Sequence, residues 1–302
     1  MSRVMQKSLA VAFPLLVALL LTGFIPVQQQ SVDTRLHLKR LNVVTAAELE
    51  QVFAELAYAW PPQAGDTIPA IELTTLPHDL AQVLDVKKKK ALFFRALLPI
   101  VLAENEKVAE LRSHASVLLN KGVMQLSDAE SRWLKAIAQQ YKVKDSISGV
   151  NFQRELLRRV DVVPPALALA QAANESAWGT SRFARQGNNL FGQWTYRQSE
   201  GIVPLGRPEG ATYAVRAFTS VDASVRAYIQ NLNSNAAYAE LRQLRQQMRD
   251  NGEALDSHVL ATGLMAYSAR GEEYITELQA MMRSNRLLTV LESVSLQHLS
   301  QL

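Results

Sequence analysis

The chain of 302 residues contains no cysteine. Disulfides, thiolate nucleophiles, thiolate metal sites and lipid attachment through cysteine are therefore excluded. Glycine and proline are scarce, with 13 and 11 residues. Together with abundant Ala, Leu, Gln, Glu and Arg, this favours a mainly helical chain. The net charge is only +4, and two of those charges are Arg3 and Lys7. What remains is too weak a positive excess for a nucleic-acid partner. Lysine stops at Lys144, and arginine alone carries the positive charge of Lys and Arg type beyond it. Arginine holds carboxylates bidentately, which suits an anionic glycopeptide, but drift in composition gives the same pattern and is the simpler reading. The five histidines, His37, His78, His114, His258 and His298, are scattered without ligand spacing, and no phosphate-cradling or dinucleotide glycine motif occurs. No metal and no cofactor is expected.

One long apolar run is present. Residues 8–27 (SLAVAFPLLVALLLTGFIPV) are uncharged and follow Arg3 and Lys7. A helix of this length rises about 30 Å, enough for a bilayer core, and the flanking cations keep the N-terminus inside. A cleaved signal peptide has a shorter apolar region and a small-x-small site, and no clean A-x-A site is found. Residues 1–27 thus read as a signal anchor, with a signal peptide as the alternative. The expected location is the inner membrane, single-pass, with an exported catalytic part, or the periplasm if the segment is cleaved.

Residues 28–84 read as a tether carrying one short amphipathic helix over 46–60, stopped by Pro61-Pro62. Residues 85–145 read as a helical region. Its first helix starts near Val86, contains Pro99, which predicts a kink, and ends at Gly122. Ser127-Asp128-Ala129-Glu130 spells a capping box for the next helix. Lys87–Lys90 reads as a solvated helix start. Residues 146–290 form the expected core of the fold and 291–302 a tail.

The chemistry lies in PPALALAQAANESAWGTSRFARQGNNLFG, residues 164–192. Pro165 suits the first turn of a helix, which places Ala168, Ala172 and Glu175 on one face. Glu175 falls near the helix C-terminus, whose partial negative charge disfavours a carboxylate, and Trp178 is placed to desolvate it. Both effects raise a carboxyl pKa, as a general acid requires. The ordinary reading of a lone glutamate on such a helix is a solvated surface charge. Next come a turn at Gly187-Asn188-Asn189 and apolar anchors at Leu190-Phe191. Two strands follow, 193–196 and 212–218, around a Gly- and Pro-rich tip. This hairpin, with Trp194, Tyr196, Glu200, Glu209, Tyr213 and Arg216, would wall a cleft and offer sugar contacts. Tyr228, Tyr238 and Tyr274 sit at helical spacing and read as core, whereas Tyr267 falls in a loop, where a functional role is more credible.

Glu175-Ser176-Ala177-Trp178-Gly179-Thr180-Ser181, then Ala184, then Asn188-Asn189-Leu190-Phe191-Gly192 resembles the signature of the glucosaminidase family, a glycoside hydrolase family 73-like group. Phe218-Thr219-Ser220, Ser224, Tyr228, Ala237-Tyr238 and Gly263 to Tyr274 continue the likeness. Upstream, Lys89, Phe94, Leu98-Pro99, Asn105 and Arg112 narrow it to the Bax-like subgroup. The resemblance spans roughly residues 85–290. It implies an α+β, mainly helical, lysozyme-like fold with a small β-hairpin beside the active-site cleft. It also implies cleavage of β-1,4 bonds on the GlcNAc side of peptidoglycan strands. It puts Glu175 at the proton donor and Tyr267 at the active-site tyrosine. Trp178, Asn188, Asn189, Phe191, Trp194 and Tyr213 are the expected substrate-side residues. The wider family carries a second glutamate on the hairpin. Glu209 is preferred here, with Glu200 or the substrate's own acetamido group as alternatives. A lytic transglycosylase or muramidase of the same fold, or a wall-binding scaffold, remains the competing function.

Overall fold

A 36-residue helix organises the fold. The computed structural model describes residues 38–291 and 293–297. Within it Asp85 accepts from the Lys87 and Lys88 amides and opens helix α2, Val86–Lys121, which Gly122 closes at φ +86°. The helix continues through Pro99, and from Leu92 to Asn105 it is buried on nearly all sides. Ahead of it lie β1 (Lys39–Leu41), α1 (Ala46–Glu55), β2 (Thr67–Ile68) and β3 (Ile71–Leu73). After it come α3 (Asp128–Gln140), α4 (Phe152–Arg159), α5 (Pro165–Ser176) and α6 (Arg182–Gly187). A sheet of β4 (Trp194–Thr195), β5 (Gly201–Ile202) and β6 (Ala214–Arg216) follows. The chain closes with α7 (Val221–Ser234), α8 (Ala239–Asp250), α9 (Ser257–Leu260), α10 (Glu272–Ser284), α11 (Leu287–Val290) and β7 (Ser295–Leu296). The result is the mainly helical α+β class with small sheets that a lysozyme-like fold requires.

The expected anchor, residues 8–27, lies outside the described residues. Among the described residues no helix is long and apolar enough to cross a membrane. The tether expected over 28–84 differs from what its described part does. Leu49, Phe53, Tyr58, Ile68 and Leu73 are buried in the same core as α2. Thr45 and Glu48 cap α1 reciprocally. Strand β1 pairs in parallel with β3, and β2 with β7 at the far end of the chain. The Pro- and Gly-containing stretch that suggested a linker is thus held by partners distant in sequence, and the described residues form one compact unit.

The arginines that replace lysine have a structural use. Arg242 and Arg245 are almost fully buried, at 2% and 1% exposure. Arg242 donates to the Leu232 and Asn235 carbonyls, and Arg245 to those of Arg158 and Val162. The Leu232 and Arg158 carbonyls belong to the last turns of α7 and α4, where a helix leaves such groups without partners. A planar guanidinium with several donors can reach two at once. Burial pushes both guanidinium pKa values down to about 10, still above neutrality. Asp161 balances the charge. Burial would raise its pKa, but Arg245, Arg249 and Arg112 hold it below the usual carboxylate range.

Candidate active site

Helix α5 packs between α2 and α10 and is buried over nearly its whole length. Its sequence of small residues permits that closeness. The signature after it is mainly backbone engineering. Ser176 donates to the Ala172 carbonyl at 2.6 Å and accepts from the Gly179 amide at 2.8 Å. Ala177, Trp178 and Gly179 all adopt left-handed conformations, with φ of +51°, +61° and +77°. A methyl group at Gly179 would stand 2.5 Å from Leu76. Trp178 turns away from the cleft and packs edge-on against Phe93 and Phe94, with Lys90 above its ring. Its expected place beside the substrate is therefore corrected to an anchor between α2 and the end of α5.

The second half of the signature returns the chain to Glu175. Asn188 caps α6 at φ +50° and donates to the Phe218 carbonyl. Asn189 uses its whole carboxamide, donating to Gln193 and Arg216 carbonyls and accepting from Phe191 and Gln193 amides. Neither residue lines the cleft. Together they shape the floor and dock the sheet. Phe191 stacks on Tyr228 at 3.9 Å. Gly192, at φ +63°, leaves room for the carboxyl. A Cβ there would lie 3.3 Å from Glu175 Oε2.

Glu175 sits in a cleft of about 410 Å³. Phe191, Gly192, Gln193, Trp194 and Arg216 form one side, and Ala227, Asn231, Asn235, Tyr238 and Tyr267 the other. Glu175 is the sole carboxylate among these lining residues. Burial raises its pKa, opposed by a hydrogen bond from Tyr274 and by the charge of Arg270. That tyrosine ends a chain of directed hydrogen bonds. Tyr228 donates to Gln171 Oε1 at 2.6 Å, and Gln171 Nε2 donates to the Tyr274 oxygen at 2.9 Å. Tyr274 is thereby left to donate towards Glu175. Gln171 and Glu175 are four residues apart on α5, so they share a face.

Tyr267 lines the cleft as expected, donating to the Phe191 carbonyl at 2.9 Å and stacking on Tyr274 at 5.5 Å. Burial, with Tyr274 and other neighbours, pushes its pKa well above that of a free phenol. It therefore stays neutral, with its proton committed to Phe191. Trp194 lines the cleft at 57% exposure. Tyr213 supports it from behind, edge-on at 5.0 Å, and does not line the cleft. Glu209 does not reach the cleft. It lies exposed on the tip, while Glu200 pairs with Arg197 at 2.9 Å in the open. The tip also differs from the expected two-stranded hairpin, because Gly201–Ile202 folds back as a third strand on the other edge of β6.

Sequence reasoning missed Gln193, Asn231 and Asn235 as lining residues. It assigned Tyr228, Tyr238 and Tyr274 to the core. All three are buried, but Tyr238 also lines the cleft and the other two steer Glu175. The legible signal was the i, i+4 pair Gln171 and Glu175, a buried amide one turn before a carboxyl.

The Glucosaminidase family, described as "Mannosyl-glycoprotein endo-beta-N-acetylglucosaminidase", matches residues 151–287. The chain is similar to "Protein bax" of Escherichia coli (strain K12), 35% identical over 217 residues, which is 71% of this chain and 76% of that protein. No solved structure matches.

Proposed function

Because the chain belongs to the glucosaminidase family, and so to the glycosidases, we propose that it hydrolyses β-1,4 bonds on the GlcNAc side of peptidoglycan strands, with Glu175 as general acid. The observation that carries this reading is the environment of Glu175. It is a lone carboxyl in a glycan-sized cleft, its proton affinity raised by burial and its orientation set by Tyr274. A wall-binding scaffold has no need of a carboxyl with raised proton affinity beside a fixed phenol.

Glycosidases commonly use two carboxylates. With Glu200 and Glu209 off the cleft, the second role falls to the sugar's acetamido group, a known exception to that rule. The acetamido oxygen attacks C1 and the C1–O bond breaks. The Glu175 proton passes to the leaving oxygen. Water then opens the resulting cyclic cation, giving hydroxyl to C1 and returning a proton to Glu175. Tyr267 holds the Phe191 carbonyl and walls the bound sugar.

The test is digestion of purified peptidoglycan by the full chain, with mass spectrometry of reduced products. The full chain is needed because truncation near residue 80 would remove Phe53, Tyr58, Ile68 and Leu73 from the core. New reducing GlcNAc ends are expected. Anhydro-MurNAc or reducing MurNAc ends would move the assignment to a transglycosylase or muramidase, and no new ends would sink the hydrolase reading.

The proposed setting is outside the inner membrane, from the sequence of residues 8–27 alone. In a bacterial host with two membranes, the anchored form should stay in the membrane fraction through an alkaline wash at full-length mass. A processed form should appear in the periplasm, shortened at its N-terminus. Recovery of the unshortened chain in the cytosol would refute both.

A further inference from the structure

Four side-chain amides stand in or beside the cleft, and three have partners. Asn189 is fully committed to backbone groups. Asn235 donates to Asn231 Oδ1 at 3.2 Å and accepts from the Ala237 amide at 3.0 Å, and Asn231 also interacts with Tyr238. Gln193 differs. Its Oε1 is closed off from solvent and has no hydrogen-bond partner among the described residues. A buried acceptor left unpaired is costly and uncommon in native proteins.

Its backbone, by contrast, is held on both sides. The Gln193 amide donates to Asn189 Oδ1 at 3.1 Å, and its carbonyl accepts from Asn189 Nδ2 and the Arg216 amide, each at 2.8 Å. The side chain therefore starts from a fixed point. That point follows Gly192 directly, where the missing Cβ would face Glu175 Oε2 at 3.3 Å. A carboxamide rotates broadly about its last torsion, so Gln193 can present its oxygen, its nitrogen or both to a ligand. In the sugar to be cleaved, C2 neighbours the C1 carbon whose leaving oxygen Glu175 protonates. The C2 substituent therefore lies next to the carboxyl, as Gln193 does. An acetamido group carries one donor and one acceptor and pairs with a carboxamide. A free amine at C2 has no acceptor and is cationic.

We infer that the Gln193 carboxamide recognises the 2-acetamido group of the sugar bound at Glu175 and sets a preference for N-acetylated over de-N-acetylated glycan. This rests on the glycan reading above. Pairing with the acetamido N–H also holds that group while its oxygen attacks C1, so Gln193 acts as both a specificity and a positioning residue.

The experiment uses the full chain with peptidoglycan whose glucosamine residues are N-acetylated or chemically de-N-acetylated. Wild type should prefer the acetylated form. Gln193→Leu should lose roughly ten- to a hundred-fold in kcat/KM on acetylated glycan, the effect of leaving one such group unpaired. The de-N-acetylated form lacks the acetamido group that attacks C1 and should be cleaved by neither protein, so the part Gln193 plays in the preference is read in binding. Gln193→Glu, of the same shape, guards against misfolding of the leucine variant; its carboxylate attracts a cationic C2 amine, so it should shift binding towards glucosamine oligomers. An unchanged kcat/KM of Gln193→Leu on acetylated glycan would overturn the inference. A binding arm separates it from the function itself. In a Glu175→Gln background, Gln193→Leu should weaken binding of N-acetylglucosamine oligomers and leave glucosamine oligomers unchanged. If wild type cleaves neither glycan, the hydrolase reading fails while this arm still decides the role of Gln193. An unaltered binding preference overturns that role whatever the hydrolysis result.

Discussion

Glu175→Gln is expected to lower kcat on peptidoglycan by about 10²–10⁴-fold, the usual contribution of a positioned acid, with KM little changed. The carboxamide keeps the shape and can still accept from Tyr274, but it has no proton to give. Steady-state release of reducing ends checks this, and a variant with unchanged kcat would remove Glu175 from the chemistry. The pH dependence follows from the same environment. Because burial raises the Glu175 pKa, the wild-type rate should fall as pH rises through that elevated value. Tyr274→Phe removes the hydrogen bond that favours the carboxylate, so its alkaline limb should move to higher pH.

The same residue makes a prediction about stability. A carboxyl whose folded pKa exceeds its unfolded one binds its proton more tightly in the fold. Its contribution is fully present below the ordinary carboxylate range and is lost as pH rises through the raised value. Glu175→Gln should therefore raise the thermal midpoint near neutral pH, with the gain shrinking to nothing in acid. A gain independent of pH would mean that ionisation is not its source.

Much of this site could be read from residues close together in the chain. Pro165 at a helix start, the Ser127–Glu130 box and Gly122 at a helix end are local devices, and each appears in the structure. The approach of Gly192 to Glu175 was not read from the sequence, although both residues belong to the ordered signature. What escaped depends on distant pairing. Strands of two or three residues, such as β2 against β7, carry no periodic pattern. Their burial comes from partners more than two hundred residues away. Helical spacing also marked Tyr228 and Tyr274 as core, yet spacing describes ring positions and is silent on where a hydroxyl donates. Gln171, between them, makes the core and the site one structure.

Asn189 offers the sharpest test of that unity, since it binds no ligand in this scheme. Its carboxamide makes four hydrogen bonds to the backbone of residues 191, 193 and 216, at 2.8 to 3.3 Å. It is 1% exposed, so Asn189→Ala leaves those groups without their partner. The expected cost is about 3–5 kcal/mol, at the severe end for a single change. Activity should fall with it, because Gly192 and Gln193 lose their anchor and the Glu175 side of the cleft loosens. Asn188→Gly is the matched control one residue earlier. It gives up a single bond at 3.2 Å and gains backbone ease at φ +50°, for a net change within about 1 kcal/mol. Denaturant unfolding of the two variants, side by side, decides between them. Equal costs would mean that the Asn189 network does not hold the floor of the cleft, and the physical account of why Glu175 and Gln193 meet there would fail with it.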